Sequence, residues 1–121
     1  MAWKRNPLGA AKELRVGVDD LRKKAARQFL RHVFNLSPIK TGRYKSNHIV
    51  SIGEPSYVFD ARRRDFSRWY AEGMAAINNS PRGAKIYIQQ NLPYAPLIEN
   101  GSSKQAPAGV YKVAYMRVKL G

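Results

Sequence analysis

The sequence predicts an α+β domain in which a long N-terminal helix and a shorter second helix pack on a small antiparallel β-sheet. Three observations carry that expectation. Apolar residues recur in steps of three and four over residues 8–36 and again over 66–78, which is helical spacing. Shorter runs between and after them are alternating, β-branched or aromatic. Proline- and glycine-bearing turns separate the two kinds of segment, in the order α-β-β-α-β-β. With 121 residues, 44% of them apolar, the chain reads as one domain, 1–121, with residues 1–7 as an N-terminal arm.

The first helix is expected over residues 8–36, with a stripe of Leu8, Ala11, Leu14, Val18, Leu21, Ala25, Phe29, Val33 and Leu36. Gly9 and Gly17 each weaken it by roughly 1 kcal/mol relative to alanine. Ser37-Pro38 stops it, because the residue before proline resists the α region. Ser37–Tyr44 is then a turn, in which Thr41 can bond local backbone and Gly42 can take a positive φ. Strands are expected at Asn47–Gly53 and Ser56–Phe59, divided by Gly53-Glu54-Pro55. Asp65 caps a second helix over Phe66–Asn78, and the polar run 78–83 ends it. Lys85–Gln90 alternates, with Ile86 and Ile88 to one side, and is the clearest strand. Val110–Leu120 carries enough β-branched and aromatic residues for a last long strand, with Tyr111, Val113 and Tyr115 on one face.

Between those last two strands lies a segment of a different kind. Residues 91–109 hold three prolines, two glycines and one carboxylate, with neither histidine nor cysteine. That composition shapes a backbone and is poor stock for catalysis. Elsewhere the chemistry is equally thin. The chain has no cysteine, and its two histidines, His32 and His48, are too few and too far apart for a metal signature. The acids Glu54, Asp60, Asp65, Glu72 and Glu99 form no pair with catalytic spacing, and no nucleophile elbow or phosphate-binding glycine loop occurs. The expectation is a protein that is not an enzyme, with no catalytic residue, no metal and no cofactor. No apolar run approaches the ~18 residues that cross a bilayer, so no membrane partner is expected.

The charge points to partners. Twenty-two Lys and Arg against eight Asp and Glu give +14, which implies a polyanionic neighbour, either nucleic acid or an acidic protein surface. Residues 1–64 carry fifteen bases and five acids, residues 65–121 seven and three. Lys12, Arg15, Arg22, Lys23, Arg27 and Arg31 along the first helix, with Arg62, Arg63 and Arg64, are the candidates for facing DNA or an acidic partner. Arg62–Arg64 lie near Phe59, Phe66, Trp69 and Tyr70, which reads either as a basic–aromatic patch that grips single strands or as core aromatics with solvated arginines. The second is favoured. No helix-turn-helix, zinc-finger or RNP pattern supports sequence-specific readout.

Two motifs carry a resemblance. The first is Pro38-Ile-Lys-Thr41-Gly42-Arg43-Tyr44-Lys45-Ser46. The second is Asn91-Leu-Pro93-Tyr94-Ala95, continuing through Glu99-Asn-Gly101-Ser-Ser103-Lys-Gln105-Ala106-Pro107-Ala-Gly109. Together they resemble the tail-completion, or head–tail joining, proteins of tailed bacteriophages, the HK97 gene product 10-like family. The likeness is sharp over about thirty residues and consistent in order over 8–120. Residues 54–65 match no motif of that family, and Asn100 stands where an aromatic residue is common. The resemblance implies a structural virion protein that forms a ring, a hexamer by tail symmetry, at the neck, around DNA. Its implied partners are other copies of itself, the tail terminator or tail tube, and neck or head-closure proteins, with non-specific contact to packaged double-stranded DNA. It implies assembly in the host cytoplasm and residence in the virion. Thr41, Gly42, Arg43, Tyr94, Ala95, Glu99, Gly101, Ser103, Gln105, Ala106, Pro107 and Gly109 become the motif and interface candidates. Glu99 is expected to pair with Arg43 or Lys104. The alternatives are a head-closure or tail-terminator component, or, in another class, a small basic protein that binds nucleic acid without sequence preference.

Overall fold

The computed structural model describes residues 2–5, 11–15, 19–101 and 103–119. It is an α+β arrangement, as expected, of four helices on an antiparallel sheet. The strands β1 (Ala2–Arg5), β2 (Ala11–Arg15), β3 (His48–Ile52) and β4 (Ile86–Gln90) lie in the order β1-β2-β4-β3, every neighbour antiparallel. The helices are α1 (Asp19–Leu36), α2 (Phe66–Asn78), α3 (Ala95–Glu99) and α4 (Tyr111–Met116).

Several elements fall where local chemistry puts them. Helix α2 spans Phe66–Asn78, and its Asp65 cap accepts the Arg68 N–H at 3.3 Å, so one orphan donor of the first turn is satisfied. Helix α1 stops at Leu36. Ser37 hydroxyl donates to the Val33 carbonyl there, and Pro38 prevents continuation. The pairing of Val50 with Ile88 and of Ile52 with Ile86 places His48, Val50 and Ile52 on the same sheet face as Ile86, Ile88 and Gln90. That face meets the helices. Gly73 of α2 lies so close that a Cβ there would meet Leu30 and Val50 at 3.0 Å. Ala25, Ala26, Phe29, Leu30 and Val33 of α1 form the core with Ile77, Ile86, Ile88, Val110, Tyr111 and Ala114, all almost fully buried.

Several expectations are corrected. The long helix over 8–36 is α1 alone, and residues 11–15 are strand β2. Leu8, Gly9, Gly17 and Val18 of that expected helix lie outside the described residues. Steps of three and four in the sequence cannot exclude a strand when a partner is available, and β4 supplies one, pairing Ala11 with Gln89 and Leu14 with Ile86. Of the expected N-terminal arm, Ala2–Arg5 pairs with β2 as β1. Residues 56–59 form no strand, because side-chain amides take their backbone bonds in place of a neighbouring strand. Val110–Leu120, expected as a strand, contains α4, with Tyr111 buried and Tyr115 exposed. The proline- and glycine-bearing segment 91–109 includes the short helix α3.

Candidate functional site

The two motifs, separated by the whole of β3, α2 and β4 in sequence, meet in space. Pro38, Lys40, Thr41, Arg43 and Tyr44 line one side of a groove of about 490 Å³, and Tyr94, Ile98, Ser103 and Gln105 line the other. The Gln105 side chain joins the two sides. Its Oε1 accepts the Ile39 N–H at 2.8 Å, and its Nε2 donates to the Ile39 carbonyl at 3.4 Å. One amide thus serves both backbone groups of one residue, as a strand partner would. Ser103 hydroxyl accepts the Gln105 N–H, and Thr41 hydroxyl accepts the Arg43 N–H, fixing each rim locally.

The second motif is folded back on itself, and its glycines make this possible. Gly101 sits at φ +92°, and a Cβ there would stand 2.5 Å from the Pro107 carbonyl oxygen. Gly109 sits at φ +87°, and a Cβ there would stand 2.5 Å from the Glu99 carbonyl oxygen. Both positions combine left-handed backbone with close approach, so only glycine fits without strain. Ala95 and Ala106 are buried between the two limbs of the fold. Pro107 lies exposed at the bend.

Glu99 does something the sequence did not suggest. Its side chain is buried, and its carboxylate accepts three backbone N–H groups. Val110 and Tyr111 donate to Oε1 at 3.0 and 2.9 Å, and Lys112 donates to Oε2 at 2.8 Å. These are the orphan donors at the start of α4, where the helix dipole also favours a negative charge. The expectation is an ion pair with Arg43 or Lys104, whereas these three bonds are to backbone. Glu99 is the remote cap of α4.

A buried polar chain lies behind the groove. Ser37 hydroxyl donates to Val33 and therefore accepts from His48 Nε2, which leaves His48 Nδ1 to accept the Tyr111 hydroxyl at 2.8 Å. Burial, with Lys45 nearby, pushes the His48 pKa down to about 3. The imidazole is a neutral link between α1, β3 and α4. Its proton points at serine, so it is no base for that hydroxyl. Burial, helped by the Glu99 carboxylate, pushes the Tyr44 and Tyr111 phenols up. Among the described residues no group of three or more His, Cys, Asp or Glu could hold a metal ion, and no helix is long and apolar enough to cross a membrane.

The cations named as candidates for facing DNA or an acidic partner sit in different surroundings. Arg22 is buried at 3% exposure and donates to Ser80 Oγ and the Pro81 carbonyl, so it is removed from the surface candidates. Lys23 donates to the Asn78 carbonyl and Arg27 to Asn78 Oδ1. All three stand at the C-terminal end of α2, where cations are favourable. Arg31 is exposed, while Lys12 and Arg15 lie on β2. Asp60 accepts the Arg62 backbone N–H at 2.9 Å and then its guanidinium at 3.3 Å, and these bonds hold that carboxyl below its usual range. Arg63 stacks on Trp69 with its guanidinium carbon 3.6 Å from the ring centroid, and Arg64 donates to the Ala61 and Arg63 carbonyls. Trp69 is half-buried beneath Arg63, while Phe66 packs on Phe34 beside Lys45. A smaller cleft of about 270 Å³ runs along β3, between Trp69, Glu72 and Gly73 of α2 and Val58 and Arg63 of the preceding segment.

That preceding segment is what sequence reasoning missed. Ser56–Asp60 is a strap anchored by amides at the ends of β3 and β4. Gln89 Oε1 accepts the Ser56 N–H, and Asn91 Nδ2 donates to the Ser56 and Val58 carbonyls. Asn47 bonds both backbone groups of Asp60. The strap leaves Tyr57, Val58 and Phe59 exposed. The available signal was three amides, Gln89 within β4 and Asn47 and Asn91 flanking β3 and β4. Compared with family models, curated proteins and solved structures, the chain matches none.

Proposed function

We propose that this chain is a structural virion protein of a tailed bacteriophage, a tail-completion protein that forms a ring at the head–tail junction around the DNA channel. The observation that supports this best is the meeting of the two motifs. Thr41, Arg43, Tyr94, Ser103 and Gln105, distant in sequence, line one groove, while Glu99, Gly101 and Gly109 hold its shape. That is a backbone-shaping role, which suits a part that docks better than one that reacts. The sheet adds support. It ends in β1 and β3, which run antiparallel to one another, so β1 of one copy placed beside β3 of the next continues the alternation. Such a contact is head-to-tail, the kind that closes into a ring. The +14 charge suits a lumen through which duplex passes. The scatter of Arg22, Lys23 and Arg27 onto the end of α2 weighs against a helix-one phosphate track, and so against the simple nucleic-acid-binding alternative.

The test is genetic and direct. Deleting the gene from its phage should leave filled heads and free tails that fail to join, seen by electron microscopy. Complete, infectious particles from the deletion would overturn the reading.

A further inference from the structure

The motif groove has a charge imbalance that its own lining does not resolve. Lys40 and Arg43 face it, and among the described residues no Asp or Glu lines it. The nearest carboxylate of the second motif, Glu99, is committed to the N–H groups of α4. Arg43 Nε is buried and has no hydrogen-bond partner. With Nε closed to water, the guanidinium's terminal N–H groups and Lys40 are the donors that an entering carboxylate can meet, and parallel N–H···O bonds suit its geometry. Tyr44, whose phenol burial keeps protonated, also lines the groove. The flanking elements expose Ile39 at 50% and Leu97 at 61%, so apolar contact is available beside the charge.

We infer that the groove between Lys40–Tyr44 and Tyr94–Gln105 is the docking site for an acidic peptide segment of a partner protein, one carboxylate of which binds Arg43 and Lys40. Exposed Ile39 and Leu97 beside the two cations favour a peptide, which brings apolar and acidic side chains together, over a nucleic-acid backbone. A second copy of this chain is a poor donor, because it carries only eight acids in 121 residues. The partner is therefore a different, acidic protein. The inference rests on the reading of the chain as an assembly part, and its test is separate: gene deletion probes the role, and peptide binding by the purified protein probes the groove.

The experiment titrates purified protein into fluorescein-labelled decaglutamate at physiological salt and follows anisotropy. Lys40→Gln/Arg43→Gln should weaken binding by about tenfold or more. The charge-matched pair Lys24→Gln/Arg82→Gln, two exposed cations outside the groove, should weaken it by less than about threefold. Equal weakening by the two pairs would show a general response to net charge and overturn the site. So would an absence of peptide binding. A short DNA duplex that displaces the peptide and depends on Lys40 and Arg43 to the same degree would reassign the groove to phosphate. Amide NMR spectra establish the fold of each variant. Should the Arg43 change disturb it, Lys40→Gln alone, at an exposed position, carries the comparison.

Discussion

His48 shows how one residue ties burial to function-neutral architecture. Its two nitrogens link Ser37 at the end of α1 to Tyr111 at the start of α4, and it titrates near 3 where a free histidine titrates near 6.5. The unfolded chain therefore binds one more proton than the folded chain between those two values. Stability is full above about pH 6.5 and falls as pH drops toward 3, by up to ~1.4 kcal/mol for each pH unit. His32, also lowered, mainly by burial and then by Arg31, adds to the same trend. Urea unfolding between pH 7 and 4 should show this loss. His48→Gln should flatten most of it, though it lowers stability at neutral pH by leaving Ser37 or Tyr111 without a well-placed partner. An unchanged slope in the variant would remove His48 as its source.

At the scale of elements, irregular segments are held by side-chain amides. Gln28 bonds both backbone groups of Lys119, Asn47 those of Asp60, and Gln105 those of Ile39. Asn47→Asp keeps the acceptor and loses the donor to the Asp60 and Arg43 carbonyls, leaving two oxygens unserved. The expected cost is ~2 kcal/mol, read as faster hydrogen exchange across 56–60, and unchanged exchange there would refute the strap's dependence on this amide. Glu99→Gln similarly strips α4 of its charged cap. It should cost ~1–2 kcal/mol, a melting shift of about 4–8 °C, and an unaltered melting point would sink the capping account. The same residues explain what was legible. Helix α2 and strand β4 could be read because Asp65 and the alternation at Lys85–Gln90 act within a few residues. Strand β2 could not, since its partner is β4, and the steps at Ala11 and Leu14 also fit a helix. Helix α4 could not, because Val110, Tyr111 and Val113 favour strands locally while the carboxylate that starts the helix lies eleven residues upstream of Val110. Both motifs of the groove were visible in sequence, but the Gln105–Ile39 bond that joins them was not.

The whole molecule carries a charge that its own fold only partly offsets. Twenty-two Lys and Arg stand against eight acids, and Glu99 is used on backbone. Arg22, Lys23 and Arg27 gain from the C-terminal end of α2, and Arg63 from the Trp69 ring, so part of the charge is stabilised by carbonyls, a hydroxyl, an amide and a ring. The net excess of +14 repels itself. Self-repulsion acts over the Debye length, about 30 Å at 0.01 M salt and about 8 Å at 0.15 M, so added salt removes most of it across a domain this size. Salt also weakens the attractive pairs Arg62–Asp60 and Arg68–Glu72, but both are exposed and such pairs contribute ~0–1 kcal/mol each. Repulsion outweighs them. The melting temperature should therefore rise between about 0.01 and 0.15 M sodium chloride, by roughly 2–5 °C if ~1 kcal/mol is recovered. Lys24→Gln/Arg62→Gln, which removes two exposed cations, should melt higher than the parent at low salt and gain less from added salt. A melting point that stays flat or falls with salt would mean that the cations are already matched within the chain, and the case for an anionic partner would go with it.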